Sequence, residues 1–500
     1  MAKPETPINR LTRTRAGWRV TAALGVSLTV GVVVPAAAGG AQGAPLGHAL
    51  GGSSGKILEE DVTNNPSLNN GQPQIALNPE HQNDLVFLST NDDAAANAPV
   101  TDLTVFQCFL AYSTDGGVRW TPVVLPLGDA AGCGNPSLGV DSHGIFYVAF
   151  NLLGGSAPQV PGVIRSLDGG RTWSDPVATP LQFGASPRLI VDSTTDYVYL
   201  ESSSAAPVGS LQAVSVSKDH GLTWSPKAPL PAQSQSLGNQ IGVHHGVLAS
   251  ASAQEIVGGT SLVTTNPTFW VSFDNGQTWI SHPVTDSHGN PVAPPTGSLV
   301  PNVATITGQS TTDPIPWVAA DPTHFGRFAV MVPTGNDLDV YITNDAGQRW
   351  TGPAVITAPN AFKPWIEFGP TGLLGVVWRT ASSFTPGGTP PVIPPPTATI
   401  NAYSAVSFNG GRSFSAPLRI NQKAEPAGQR IEGGDKYSHI VFSGKYVYVT
   451  WSDARTGDWI DGIMSRVPLS LYCGKANQRP VCSAALPVGR SLPHSSPKRG

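Results

Sequence analysis

Charged residues are scarce in this chain. Lysine, arginine, aspartate and glutamate together make up 12% of its 500 residues, and the formal net charge is −4. Proteins that bind nucleic acids or anionic membrane surfaces need a concentrated basic surface. The composition therefore argues against both kinds of partner.

Cysteine is also rare, with four residues in the whole chain. None of them lies at the spacing from a second cysteine or a histidine that a zinc site requires, so we predict no metal there. An even number is typical of disulfides in an oxidising compartment. Three connectivities are possible, and we favour the two local pairs, Cys108 with Cys133 and Cys473 with Cys482.

Long apolar stretches are absent as well, with one exception near the N-terminus. A run from Val20 to Ala38 follows several arginines and precedes small residues of the kind that signal peptidase accepts. We predict a signal peptide over residues 1–44 and an exported protein, either secreted or associated with the cell envelope. A membrane anchor is the alternative, although the run is short for a bilayer and contains Gly25, Gly31 and Pro35.

Glycine and proline, in contrast, are abundant, with 55 and 47 residues. This content of turn formers is typical of proteins with many short strands. One eight-residue pattern, Ser-x-Asp-x-Gly-x-x-Trp, recurs along most of the chain. Its copies are Ser113–Trp120, Ser166–Trp173, Ser217–Trp224, Ser272–Trp279, Thr343–Trp350 and the degenerate Ser407–Phe414.

The repeated pattern predicts a hairpin turn. An Asp side chain accepts hydrogen bonds from backbone N–H groups that follow it, and Gly supplies the positive φ that such turns require. The Trp then begins the next strand and packs between sheets. A repeated turn needs no chemistry, so we predict structural roles for Asp115 and Trp120 and for the pairs Asp168 and Trp173, Asp219 and Trp224, Asp274 and Trp279, and Asp345 and Trp350.

With these copies the chain resembles the Asp-box (BNR-repeat) proteins of the sialidase superfamily, which carry such boxes on β-propeller blades. The resemblance covers nearly the whole chain after the signal. It implies an all-β propeller, and six blades are typical of its catalytic members. We call each copy an Asp box.

A second repeated pattern, a pair of strands, precedes each box. Examples are Gln74–Pro79 with Leu85–Leu88 and His439–Phe442 with Tyr446–Val449, and seven such hairpins accompany six boxes. Each blade would then have strands A and B from the hairpin, a strand C that ends at the box and a strand D that begins with the box Trp.

The seventh hairpin is followed by one strand-like run, Gly462–Val467, and by no box. A closed ring leaves no open edge, so we expect Lys56–Glu60 to supply the missing strand. We therefore predict a seven-bladed β-propeller of four-stranded antiparallel blades over residues 56–469, with six blades as the alternative. Residues 470–500 would form a partly disordered tail with the second cysteine pair.

Strand direction predicts which loops share a face. The boxes, as C–D turns, fall on one face, which we call the box face. The starts of the A strands and the B–C turns fall on the other, the mouth face, together with the long insertions Asn91–Thr104, Asp286–Pro314 and Ala381–Thr397. Insertions gathered on one face usually mark the binding face of a repeat array.

Several polar and aromatic residues should surround the mouth of the central channel. Sugars bind by stacking on aromatic rings and by hydrogen bonds to planar polar groups, and packing between blades is the alternative role for each Trp. The candidate substrate-binding residues are Arg188, Trp317, Lys363, Trp365, Arg379, Arg430 and Arg455.

The resemblance also implies catalytic residues. Sialidases hold a carboxylated sugar with three arginines and use a Tyr activated by a Glu as nucleophile and an Asp as acid/base. The matching positions are Tyr437, Glu201 and Asp93, with Asp92 and Glu432 as alternatives for the two carboxylates. The match is partial, because Gln72-Pro73-Gln74-Ile75 replaces the motif that carries the family's first arginine. Asp453 and Arg455 would, on the alternative interpretation, form a salt bridge.

Two hypotheses follow. The first is an exported propeller that binds glycans or a protein partner on the mouth face, with a carbohydrate or cell-surface glycoconjugate as ligand. The second is an exo-acting glycoside hydrolase of the exo-α-sialidase type. We expect a monomer and predict no cofactor; Ca²⁺ stays open, since oxygen ligands need no fixed spacing.

Overall fold

A computed structural model describes residues 56–64, 70–90, 107–182, 187–203, 212–231, 241–257, 261–295, 316–383, 397–426, 438–455 and 460–473, without the side chains of 254–257 and 261–264. All of them belong to the second of the two units into which the chain divides, Gly43–Gly500. The proposed signal peptide and most of the proposed tail lie outside these residues. No helix in the described part is both long and apolar enough to span a membrane.

The described chain forms seven antiparallel sheets, and each sheet is one blade of a β-propeller. Blade 1 consists of β2 (Gln74–Leu77), β3 (Leu85–Thr90), β4 (Cys108–Ser113) and β5 (Thr121–Val123). Blade 2 consists of β6 (Gly132–Val140), β7 (Phe146–Leu153), β8 (Pro161–Ser166) and β9 (Val177–Ala178). Blade 3 consists of β10 (Arg188–Val191), β11 (Val198–Ser203), β12 (Gln212–Ser217) and β13 (Ala228–Pro229).

The next three blades follow the same strand order. Blade 4 consists of β14 (Gly242–His244), β15 (Val247–Val257), β16 (Ser261–Ser272) and β17 (Ile280–Pro283). Blade 5 consists of β18 (Trp317–Ala320), β19 (Phe328–Pro333), β20 (Asp337–Thr343) and β21 (Trp350–Thr357). Blade 6 consists of β22 (Ala361–Phe368), β23 (Leu374–Ala381), β24 (Thr399–Ser407) and β25 (Leu418–Arg419), with β26 (Glu425–Pro426) also paired to β24.

Blade 7 closes the ring with strands from both ends of the described chain. It consists of β27 (His439–Phe442), β28 (Tyr446–Asp453), β29 (Asp461–Pro468) and the first strand, β1 (Leu58–Asp61), and a 3-10 turn (Leu469–Cys473) follows β29. β1 pairs antiparallel with β29, with Leu58 opposite Arg466. The prediction of seven blades closed by an N-terminal strand is confirmed, and the six-bladed alternative is wrong.

The D strands differ from the prediction. β21 begins at the box Trp, Trp350, but β9 begins four residues after Trp173 and β13 begins four residues after Trp224. Outer strands of two or three residues make few ladder hydrogen bonds, so the outer edge of these blades depends more on the box turn than on strand pairing.

Each Asp box is closed by its own side chains. The hydroxyl of the first residue donates to the carboxylate or amide oxygen of the third over 2.8–3.0 Å and accepts the N–H of the fifth over 2.7–2.9 Å in all six copies. The same oxygen accepts the N–H of the seventh residue, as Asp274 does from Thr278 over 2.8 Å. The box carboxylates are thus occupied within their turns.

A disulfide joins the first two blades. Cys108 at the start of β4 bonds to Cys133 in β6, which confirms the first predicted pair. Cys473 ends the described chain, and its predicted partner, Cys482, lies outside the described residues.

Candidate functional site

The A strands bring side chains from several blades together at the propeller axis on the mouth face. We call five of these side chains the axial cluster: Arg188 and Glu201 of blade 3, Trp317 of blade 5, Trp365 of blade 6 and His439 of blade 7. The ring centres of Trp317 and Trp365 lie 5.2 Å apart, and those of Trp365 and His439 lie 5.0 Å apart. The guanidinium carbon of Arg188 lies 5.4 Å from the centre of the Trp365 ring.

Trp365 is at the centre of this cluster because it contacts residues from three other blades. Both indoles are almost fully buried, with 4% of Trp317 and 5% of Trp365 exposed. The two indoles are tilted by 46° to each other, the His439 ring meets Trp365 at 60°, and the guanidinium of Arg188 lies over the Trp365 ring. They therefore form a floor beneath the mouth and present no open stacking platform.

Arg188 and Glu201 lie directly opposite each other on β10 and β11. Both are buried, and Glu201 Oε2 has no hydrogen-bond partner among the described residues. Burial raises the pKa of Glu201 to about 8, although the positive charge of Arg188 acts in the opposite direction. Glu201 is therefore mainly protonated at neutral pH, which suits a proton donor better than a base.

His439 is held in its neutral form. Its Nδ1 accepts the N–H of Ile75 over 3.5 Å, which places the ring proton on Nε2. Burial and then the positive charge of Arg188 lower the pKa of His439 to about 4. At neutral pH the imidazole thus carries no charge and has an N–H donor at Nε2.

A short repeated motif positions the cluster. A proline stands immediately before Gln74, Ser137, Arg188, Trp317 and Trp365, the residues from which the A strands of five blades continue. In blades 2 and 6 the dipeptides Asn135-Pro136 and Lys363-Pro364 form bulges, where the pairing register shifts. A bulge bends a strand and re-aims its side chains.

Hydrogen bonds tie these motifs from blade to blade. Thr450 of blade 7 donates to the Pro73 carbonyl over 2.8 Å, and Gln74 Nε2 donates to the Pro136 carbonyl over 2.8 Å. Ser137 Oγ accepts the N–H of Leu189 of blade 3 over 3.0 Å. The bonds join four consecutive blades, 7, 1, 2 and 3, and fix their relative positions.

Two of the predicted arginines have structural partners away from the axial cluster. Arg379 lies 4.7 Å from the centre of the Phe362 ring and donates from Nη1 to the Ser452 carbonyl over 2.7 Å. Arg455 donates from Nε to Asp453 Oδ2 over 2.8 Å and also pairs with Glu59 of β1. Arg379 therefore joins blade 6 to blade 7, and Arg455 joins the end of β28 to β1 within blade 7.

The predicted site residues thus fall into three groups. Arg188, Glu201, Trp317 and Trp365 come together at the axis, Lys363 lies in the motif beside them, and Arg379 and Arg455 serve contacts within the blades and between them. Asp93, Arg430 and Tyr437 lie outside the described residues. Sequence reasoning missed Gln74 and His439, and the recurrent proline before the A strands was the signal that could have found Gln74.

The likeness to known proteins is limited to distant solved structures. No family model matches the chain, and no curated protein matches it. A Hadza microbial sialidase is 14% identical with a TM-score of 0.38, over 73% of this chain and 74% of its own. The α-L-arabinofuranosidase of Fusarium graminearum, in complex with arabinobiose, is 15% identical with a TM-score of 0.38, over 68% and 94%.

A third structure, the Trypanosoma rangeli sialidase with difluorosialic acid, is 12% identical with a TM-score of 0.33. The match covers 82% of this chain and 55% of the trypanosomal one. Values this low carry no argument about function, so the fold is established by the strand pairing of this chain alone.

Proposed function

We propose that the protein is an exported, sialidase-like Asp-box propeller that binds glycans at the channel mouth, on the face opposite the boxes. The convergence of Arg188, Glu201, Trp365 and His439 at the axis is the observation that carries this proposal. Burying ionisable groups costs free energy, and a blade core needs only apolar residues there. The Cys108–Cys133 disulfide supports export, because disulfides persist in oxidising compartments.

The charge of the cluster indicates the kind of glycan. With His439 neutral and Glu201 mainly protonated, Arg188 provides the charge of the axial cluster at neutral pH. A guanidinium matches a carboxylate with two parallel hydrogen bonds. We therefore propose an oligosaccharide with an acidic substituent as the ligand.

Binding can be tested on an array of sialylated, uronate-containing and neutral oligosaccharides. Binding to acidic glycans should weaken at least tenfold in Trp365→Ala, which removes the ring on which Arg188 rests, and in the more conservative Arg188→Lys, which loses the planar guanidinium. The matched control is Phe325→Ala, which removes an aromatic side chain that is 62% exposed on the box face and should leave binding unchanged. An array without any bound glycan, or two variants that bind like the parent, would contradict the proposal.

A second candidate function is exo-acting glycoside hydrolysis of the sialidase type, with Tyr437 as nucleophile and Asp93 and Glu201 as carboxyl groups. The raised pKa of Glu201 favours this candidate with Glu201 as the general acid, and not as the group that activates the tyrosine, because a carboxyl group that stays protonated near neutral pH can donate a proton. The placement of Arg379 and Arg455 in structural contacts argues against a triad that includes them.

This candidate predicts release of a fluorescent aglycone from a sialoside. The release should fall by at least 100-fold in Tyr437→Phe, given the usual contribution of a catalytic side chain, and glycan binding should be retained. Absence of release by the parent protein at any pH between 4 and 8 would exclude this candidate and leave the binding function intact.

A further inference from the structure

The residue before the A-strand proline adopts an unusual backbone conformation. Gln72, Asn135 and Lys363 precede Pro73, Pro136 and Pro364, and their φ values are +55°, +50° and +48°. Side chains other than glycine rarely adopt positive φ. Proline in addition pushes the residue before it toward extended conformations. Three blades therefore hold a strained residue at the same position of the repeat.

The strain is maintained by contacts between blades. Gln72 Nε2 donates to Asn135 Oδ1 over 3.2 Å, and the prolines that follow them accept from Thr450 and Gln74. Strained residues that the surrounding structure enforces tend to lie at functional sites.

Two of the three strained residues are more accessible than the floor of the axial cluster, whereas Gln72 is buried. Asn135 and Lys363 are half-buried, whereas Arg188, Trp317 and Trp365 are buried. In blades 2 and 6 each strained residue also lies in the bulge that re-aims the strand. Their side chains, two amides and one ammonium group, are hydrogen-bond donors that suit hydroxyl and carboxylate oxygens.

We propose that Gln72, Asn135 and Lys363 form a specificity-determining ring, in which Asn135 and Lys363 contact the hydroxyl and acidic groups of the bound glycan above the axial cluster and the buried Gln72 positions Asn135. This inference rests on the proposed function. It adds that the strained backbone at these three positions serves to place side chains that recognise the glycan. The same position of the repeat is occupied in sequence by Ser186 in blade 3 and by Tyr437 in blade 7.

The test compares Lys363→Gly with Lys363→Ala. Glycine removes the side chain and the strain, whereas alanine removes the side chain alone. We expect the midpoint of thermal unfolding of Lys363→Gly to exceed that of Lys363→Ala by about 2 °C. Both variants should bind 3′-sialyllactose and oligogalacturonate at least tenfold more weakly than the parent, because each loses a charged hydrogen-bond donor.

The pair His245→Gly and His245→Ala is the matched control. His245 is exposed on the box face with φ +52°, so glycine should stabilise relative to alanine in the same way while binding stays unchanged. If both Lys363 variants bind like the parent, the proposal of the ring is wrong, and the proposed glycan site is not affected. Equal stability of the two Lys363 variants overturns the strain argument. Failure of the parent to bind either probe overturns the proposed function and the ring with it.

Discussion

The fifth residue of every Asp box is a glycine that lies against the preceding blade. Its φ is between +81° and +97° in the six copies. A Cβ atom built on Gly117 would lie 2.7 Å from Met464 of blade 7, and one on Gly276 would lie 2.3 Å from Val214 of blade 3. In five of the six boxes glycine is thus required twice, for its backbone conformation and for the close contact between neighbouring blades, whereas a Cβ on Gly221 would lie no nearer than 3.7 Å to another blade.

We predict that Gly276→Ala destabilises the protein by about 2–5 kcal/mol. The positive φ costs about 1–2 kcal/mol for an alanine, and overpacking against Val214 adds about 1–3 kcal/mol. Urea unfolding followed by tryptophan fluorescence would measure the difference in the free energy of unfolding.

Gly289→Ala separates the two causes. Gly289 has φ +84°, but nothing lies within 4 Å of a Cβ built there. The Gly289→Ala variant should therefore lose only the free energy of unfolding that depends on the backbone conformation, about 1–2 kcal/mol. If both substitutions destabilise equally, the contact with blade 3 has no role in the effect.

At the scale of elements, the hairpins and box turns could be predicted from the sequence because alternating apolar residues and turn formers are local signals. The strand that closes the ring could be predicted as well, since Ile57, Leu58 and their neighbours had no other partner. The full lengths of β6 and β22 could not. Both strands continue through a proline, which is usually read as the end of a strand and here lies in a bulge.

The candidate site was predictable in position but less so in composition. Strand order placed Arg188, Trp317 and Trp365 at the channel mouth, and the structure brings them together. Strand order could not predict which side of a blade Arg379 and Arg455 face, because one step of register turns a side chain to the opposite face of the sheet. Their partners, a backbone carbonyl in blade 7 and Glu59 of β1, are far away in sequence.

At the scale of the whole molecule, the ring is closed by one four-residue strand that carries three acidic residues. Glu59 is paired with Arg455, and Asp61 accepts the N–H of Asn64. Glu60 differs from both, because it is fully buried and neither carboxyl oxygen has a hydrogen-bond partner among the described residues. β1, the strand that closes the ring, thus contains a buried carboxyl group whose protonated form is favoured over its ionised form.

This arrangement makes ring closure sensitive to pH. Burial raises the pKa of Glu60 from 4.5 to about 7; Arg466 opposes this, while Asp115, Asp61 and Glu59 add to it. A raised pKa in the folded state means that the stabilisation is complete below about pH 4.5 and is lost as pH rises to about 7. The loss amounts to up to about 3 kcal/mol, at 1.36 kcal/mol per pKa unit.

We predict that Glu60→Gln removes this pH dependence, because the amide has the same shape and does not ionise. Relative to the parent, the variant should gain thermal stability as pH rises from 5 to 8, and hydrogen exchange in β1 should slow at pH 8. Glu80→Gln is the control, since Glu80 is exposed on the turn between β2 and β3. If the stability curves of Glu60→Gln and the parent stay parallel from pH 5 to 8, ionisation of Glu60 does not control how the two ends of the chain close the ring.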